Sequence, residues 1–516
     1  MMKASISMRT SAIIFFLALA LCSASFGLHA QEPTLTATEK SYLEASKTLE
    51  SGLQALGGLV NLQAISSVTR DFSAVRTDKG QGVNPLEPTA ITRKEKSIRD
   101  LRKLRCFDST AGTLVGGQPF HAERVVSETA VFTANRIDRT VLPSDVSSYP
   151  QASAVALRRH PESLLQAALN RKETLRSIGE QNYEGRRQQV ISFTDTDGTQ
   201  LSLYFDAQTH LLTKLEFLRD HAVLGDVVSE TIYNDYRPIG KLKLPYEYID
   251  KLGGTILQKS QITSLMLDVP VSDAIFAQPE GFSVLKQGAF TPAIKKLGDG
   301  VYALLGLYNS VFVDFNDFVL VVEAGVNSRY TEGIIKQIKA TAPGKPLRYL
   351  VPTHFHYDHI GGIRSFVLEG TSIITLPQTR KVIEKAARST RTLRPDALSR
   401  APREPVFEIF NRKRVFDDGV HRIELYDISP NPHVEEMVIA YLPKEKILFE
   451  ADMLDLDVPE GQPGHAGDDT VALLEKVRQL GLKVELIIPV HGRLGTLADL
   501  ESTVATRGVT DSSRKN

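Results

Sequence analysis

The sequence predicts an α+β fold, in which a β-rich antiparallel N-terminal domain precedes a C-terminal sandwich of sheets covered by helices. Between about 190 and 267, short strand-like segments follow one another with no intervening helix, the pattern of an antiparallel sheet. After about residue 290, strands and helices mix. The length of 516 residues also exceeds what one ordinary core holds. Hydrophobic residues at 42% and charged residues at 24% are ordinary globular values, so no disordered or fibrous class applies. The 61 basic and 61 acidic residues cancel, giving no electrostatic bias toward nucleic acid or an anionic membrane. A small-molecule substrate is the expected partner, and nucleic acid is not.

The first thirty residues read as a signal peptide. Lys3 and Arg9 supply the positive start, residues 12–21 are apolar, and Leu28-His29-Ala30 offers a cleavage site before Gln31. The apolar run is shorter than the ~20 residues of a spanning helix, so a cleaved leader is expected and no stable membrane span after it. The protein is then exported, to the periplasm or beyond. A lipid anchor on Cys22 would want a small residue before it, where Leu21 stands. Once the leader is removed Cys106 is alone, no intrachain disulfide can form, and stability must come from packing. In Leu104-Arg105-Cys106-Phe107 the thiol reads as a small buried apolar group, with a nucleophile as the lesser alternative.

From the leader to about 285, the elements run as follows. Residues 36–65 look helical, with Leu53, Leu56 and Leu59 on the apolar side and a break at Gly57-Gly58. Residues 161–178 form a second helical candidate, with Pro161 in the first turn and Leu164, Leu165, Ala168 and Leu175 on one side. Strands are expected at 190–194 and 201–205 around the hairpin signal Asp197-Gly198, then at 211–218, 227–236, 244–249 and, after Gly253-Gly254, 256–267. This run of hairpins, closing in Phe276-Ala277-Gln278-Pro279, resembles in pattern alone the half-barrels of periplasmic lipoprotein carriers. A packing or substrate-access domain fits the same pattern.

From about 295 to 505, strands are expected at 301–305, 310–315 and 318–323, and a helix begins at Ser328 with Tyr330, Ile334 and Ile338 on one face. A buried strand over 347–353 leads into Thr353-His354-Phe355-His356-Tyr357-Asp358-His359-Ile360-Gly361-Gly362. With 12 histidines in the chain, His-x-His-x-Asp-His is expected by chance only about once in a thousand such sequences. At a strand end alternate residues point the same way, so His354 and His356 can share one metal while Asp358 and His359 face a neighbouring position. Imidazole nitrogens with a carboxylate oxygen suit zinc. Further ligand candidates stand at strand ends: His433 before the strand 437–442, Asp452 after 447–450, and His491 after 484–489. A helix is expected over 470–481, and His421 reads as the start of the strand 422–426, not a ligand.

Over residues 295 to 500 this arrangement resembles the metallo-β-lactamase superfamily, which implies an αββα sandwich. Carried over by position, the resemblance implies that His354, His356 and His433 hold a first metal. Asp358, His359 and His491 would hold a second, and Asp452 would bridge both. The implied cofactor is two zinc ions, with iron or manganese as alternatives. Glu323-Ala324-Gly325 stands where the family usually has Asp-x-Gly, and Ala451 and Val490 replace common glycines. The implied chemistry is hydrolysis by a hydroxide shared between the ions, with Asp358 orienting it and moving its proton. Because superfamily members that keep the bridging carboxylate generally act on thioesters, lactones or phosphodiesters, ester, thioester or lactone cleavage is expected ahead of β-lactam opening. Phosphodiester or sulfate-ester cleavage remains an alternative on the same fold, as does a non-catalytic envelope lipid- or protein-binding module with a structural metal. Tyr308, Asn309, Tyr357, His465 and Arg493 lie within reach of the ligand loops.

The hairpin pattern ends near Phe282 and the second pattern begins near Gly298, so limited proteolysis of the native chain is expected to nick first between Glu280 and Lys296. A first cut within 347–362 would contradict that boundary.

Overall fold

The computed structural model describes residues 35–285 and 291–513; the expected signal peptide 1–30, with Cys22, lies outside the described residues. No described helix is long and apolar enough to cross a membrane. The described strands form sheets of fourteen, seven and five strands.

The fourteen-stranded sheet is built from two meanders joined where Ser67–Arg76 pairs antiparallel with Thr255–Leu267. Outward from Ser67–Arg76 run Ile91–Asp100, Arg105–Thr113, Pro119–Ser127, Ala130–Asn135 and Thr140–Ser144. Outward from Thr255–Leu267 run Leu242–Leu252, Gly225–Ile239, Leu212–His221, Gln200–Asp206, Arg186–Thr194 and Arg176–Tyr183. Within each meander consecutive strands lie side by side, most of them joined by short turns, while the longer segment 77–90 joins Ser67–Arg76 to Ile91–Asp100; Gly253 and Gly254 hold φ of 56° and 77°, the paired positive values a two-residue hairpin demands. Ser283–Val284 adds a short parallel pair at the edge.

The helical expectation over 36–65 resolves into Ala37–Ala55, capped by a reciprocal Thr36–Glu39 box, and Leu59–Ala64. Gly57 and Gly58, at φ 121° and 89°, separate them. The helix expected over 161–178 is corrected: it stops at Asn170, and Arg176–Tyr183 is an edge strand. Arg171 leaves helical geometry, and backbone pairing with Arg186–Thr194 outweighs the helical pattern there. Leu49 and Leu53 of the first helix and Leu164 and Leu165 of Pro161–Asn170 fill one face of this sheet against Phe193, Phe205, Leu215 and Tyr248.

In the seven-stranded sheet, Ala293–Gly298, Val301–Leu305, Ser310–Asp314 and Val319–Val322 pair antiparallel. Leu347–Val351, Ser372–Thr375 and Val406–Ile409 then add in parallel, with helices Ser328–Thr341, Ile363–Glu369 and Pro377–Ala387 in the crossovers. The five-stranded sheet runs Lys413–Asp417, Arg422–Asp427, Val438–Leu442, Ile447–Glu450 and Leu486–Pro489, with helix Asp468–Gln479 crossing to the last strand. Val311, Val313, Leu320 and Val351 of one sheet meet Leu425, Val438, Phe449 and Ile488 of the other. Tyr330, Ile334 and Ile338 cover one outer face, and Leu473, Leu474, Val477 and Leu500 the other. The layering is therefore helix, sheet, sheet, helix. The strands 372–375, 406–409 and 413–417 were not among those expected, being four or five residues long with little alternation.

Cys106 is fully buried with Val126, Val131 and Ala152, and burial pushes its thiol up to about 11. The native thiol should resist alkylation at pH 8, and Cys106→Ser should retain turnover while costing roughly 1–3 kcal/mol of stability for a buried hydroxyl. Rapid labelling of folded protein, or a folded but inactive serine variant, would contradict this assignment.

Candidate metal centre

Strand ends and tight turns bring the histidines together. Leu347–Val351 delivers the chain through Thr353 to His354, and His356 then precedes the single turn Tyr357–Ile360. Gly361 and Gly362 allow this turn to lie against its neighbours: a Cβ on Gly361 would stand 1.9 Å from the Val326 carbonyl oxygen, and one on Gly362 1.7 Å from Thr331 Oγ1. Asp452 follows Ile447–Glu450 with φ of 64°, and His491 follows Leu486–Pro489. Left-handed backbone at a non-glycine residue such as Asp452 persists only where the surroundings enforce it.

Asp452 is the centre. Its Oδ2 lies 3.1 Å from His359 Nε2, 3.1 Å from His433 Nε2, 3.5 Å from His354 Nε2 and 4.0 Å from His356 Nδ1. Its Oδ1 lies 3.0 Å from His491 Nε2, and Asp358 Oδ2 lies 3.6 Å from His359 Nε2. These side chains fall into two sets that could each hold a metal ion: His354, His356, His433 and Asp452, and Asp358, His359, Asp452 and His491. Within each set the ligand atoms lie within 4.8 Å of one another. Asp452 belongs to both. His421 is elsewhere, packed against Gly300 and the Phe315 ring.

The donor set fits metal ions. His354 Nε2 is buried, points at this centre and has no hydrogen-bond partner, an arrangement costly without a Lewis acid. The ring nitrogens facing away are held. His356 Nε2 donates to the Gly82 carbonyl at 2.9 Å; His359 Nδ1 faces Glu323 Oε2 at 3.3 Å; His433 Nδ1 faces Asp469 Oδ2 at 3.4 Å. Such outer partners fix the orientation and raise the basicity of metal-ligating imidazoles. Burial lowers His354 and His356. It would lower His433 and His491 too, but Asp452 overcomes it and raises each to about 9. Burial works against the ionised forms of Asp452 and Asp358 as well, yet the histidines around them, His359 first, hold both below the usual carboxylate range.

Other residues support this centre from outside the two ligand sets. Glu323, at φ 84°, is fully buried and accepts from Thr353 Oγ1 at 2.7 Å, so it occupies the supporting position with one methylene more than the expected Asp. From the N-terminal half, Gln81 Nε2 donates to Asp358 Oδ1 at 2.8 Å, and Gln118 Nε2 donates to the Asp452 backbone carbonyl at 2.9 Å. Nothing in local spacing ties a loop at 79–83 to a motif more than 270 residues away. Tyr308 Oη lies 3.5 Å from Asp358 Oδ2, and its ring meets His491 edge-on at 4.8 Å. Asn309 is structural, donating to the Pro489 and Gly492 carbonyls. His465 pairs with Asp138 and Arg493 with Asp499, while Tyr357 packs on His221. A cavity of about 660 Å³ opens on Asp358, Asp452 and His491, and its other wall comes from the N-terminal half, including Arg76, Arg93 and Gln118.

Residues 304–491 match the sequence model described as the metallo-beta-lactamase superfamily. The C-terminal half belongs to this superfamily. Similar solved structures include a metallo-beta-lactamase from Pontibacter korlensis, 21% identical over 42% of this chain and 97% of that one, with a TM-score of 0.33. FIM-1 from Pseudomonas aeruginosa is 18% identical over 43% of this chain and 96% of its own, with a TM-score of 0.31. A metallo-beta-lactamase from Hirschia baltica is 18% identical over 42% and 96%, with a TM-score of 0.30. The superfamily match begins at residue 304, so Gln81, Gly82 and Gln118 lie outside it.

Asp469→Asn and Glu323→Gln should each weaken zinc binding by roughly 10–100-fold, measured by chelator competition, because each loosens one imidazole without removing a ligand. Unchanged affinity in both would show that these carboxylates do not support the site.

Proposed function

We propose that the protein is an exported hydrolase that holds two metal ions, most naturally zinc, and cleaves an ester, thioester or lactone. The observation that carries the reading is Asp452, shared between two ligand sets and facing a cavity of substrate size. A structural zinc normally uses four closed ligands, whereas seven side chains, one of them a carboxylate shared by both sets, are more than a structural ion needs. Retention of Asp452 favours carbonyl esters, thioesters and lactones over β-lactams.

The bound ions would supply the Lewis acid and the activated water that hydrolysis requires. This chain's residues would do the rest. Asp358, a quarter exposed at the cavity wall, is positioned by Gln81 on one oxygen and faces Tyr308 on the other, so it can take a proton from the attacking water and return it to the leaving group. Burial raises the Tyr308 phenol, with Asp358 and Asp452 adding to the effect, so it stays protonated and can only donate to Asp358 at neutral pH. Gln118 holds the Asp452 loop through its backbone, and the loop at 79–83 closes the outer side of His356 against water. Cys106, buried in a separate core, is no part of this.

Zinc-reconstituted full-length protein should carry close to two ions by elemental analysis. On a panel of 4-nitrophenyl butyrate, a thiobutyrate, a γ-lactone, nitrocefin and bis(4-nitrophenyl) phosphate, the first three should be the preferred substrates. Asp452→Ala should lose the second ion and at least ~10²-fold in kcat while remaining folded. Turnover of nitrocefin alone would replace the substrate reading, and a fully active Asp452→Ala protein with two ions would end the mechanism.

A further inference from the structure

Two arginines of the N-terminal half line the cavity that opens on Asp358, Asp452 and His491. Arg76 is paired with Asp78 at 2.6 Å. Arg93 is different: among the described residues it makes no hydrogen bond or ion pair, and its Nε is buried without a partner.

The sheet explains how this cation is held. Arg93 stands between Ala74 on one neighbouring strand and Gly112 on the other, and Gly112 in turn stands opposite Phe120. Because Gly112 has no side chain, the arginine can lie across its strand; a Cβ there would touch the arginine's Cγ at 3.4 Å and crowd the Thr92 carbonyl oxygen at 2.9 Å. The guanidinium comes to rest over the Phe120 ring, its Cζ 5.0 Å from the centroid. Stacking of this kind fixes the plane of the group and leaves its N–H edge free for an oxyanion. The nearest carboxylate along the strand is occupied: Glu95 accepts from Gln258 Nε2 at 2.9 Å and lies 3.8 Å from Arg159. Burial, and then repulsion by Arg76, lower the Arg93 pKa to about 10 against the pull of Glu95 and Asp78, as expected of a partly buried cation short of a counter-charge.

We propose that Arg93 is a specificity-determining residue that receives an oxyanion of the substrate, a carboxylate or a phosphate, at a distance from the bond being cleaved. This rests on the hydrolase reading above and narrows it to anionic esters, thioesters or lactones. The N-terminal half would then select the substrate that the metal centre of the other half cleaves. A planar, pre-oriented fork is suited to the two parallel oxygens of either group.

The test compares zinc-loaded full-length protein with its Arg93→Gln and Arg93→Lys variants on mono-4-nitrophenyl glutarate and the neutral 4-nitrophenyl butyrate. Wild type should favour the anionic ester. The ratio of the two kcat/KM values should fall at least about tenfold in Arg93→Gln and recover in part in Arg93→Lys. Separately, chelator-treated wild type should bind glutarate or inorganic phosphate by calorimetry, and Arg93→Gln should bind it at least about tenfold more weakly. Glutarate against phosphate distinguishes the two oxyanions. If neither ester is turned over by any of the proteins, the hydrolase reading fails, while the calorimetry still decides the anion seat. An unchanged kcat/KM ratio together with unchanged anion binding in Arg93→Gln, at equal thermal stability, would overturn the proposal.

Discussion

Five imidazoles and two carboxylates gathered around one point are expensive to bury unless each finds a partner of opposite character. Asp452 is where that requirement is met. It draws in His354, His356, His359, His433 and His491, which arrive from loops at the edges of two different sheets. Much of the C-terminal half follows from the need to deliver those loops to one place. The sheets pack face to face so that their strand ends lie side by side, and the left-handed backbone at Glu323 and Asp452 turns both carboxylates inward. Gly361 and Gly362 serve the same end, letting the ligand turn rest on the loop at 324–326.

The fourteen-stranded sheet meets the other half around the same centre. Its loop at 78–84 accepts from His356 through the Gly82 carbonyl, reaches Asp358 through Gln81, and joins the His433 loop, where the Glu435 N–H donates to the Val83 carbonyl and Asn84 to the Glu435 carboxylate. A second set of contacts lies further out, where Arg391 pairs with Asp220 at 3.0 Å and the Thr392 N–H and hydroxyl donate to Asp226. The cavity thus has one wall that carries the candidate metal ligands and another that holds Arg93 and the Arg76–Asp78 pair.

What was legible in the sequence was what depends on local spacing. His354-x-His356-x-Asp358-His359 announces itself because the histidines sit on one strand end and the turn after it. The hairpins after 186 are readable because Asp197-Gly198 and Gly253-Gly254 mark their turns. The helical pattern over 161–178 overlaps only the start of the strand Arg176–Tyr183, since Leu175 continues an apolar helical face while the pairing that makes the strand comes from the next hairpin. Strands between 91 and 144 showed only as generally β-like, because residues such as Thr92, Lys94 and Lys96 leave little apolar alternation to detect. Gln81, Gln118, Arg93 and Asp469 belong to the candidate site by tertiary contact alone, and no residue-type pattern sets them apart from other polar loop and strand residues.

The central claim is that Asp452 stands between two metal positions, one formed with His354, His356 and His433 and the other with Asp358, His359 and His491. Anomalous diffraction at the zinc edge, from crystals of the zinc-loaded full-length protein, addresses it most directly. The account predicts two strong peaks about 3.5–4 Å apart on either side of the Asp452 carboxylate. A single peak that does not touch Asp452, or none among these seven side chains, would contradict it.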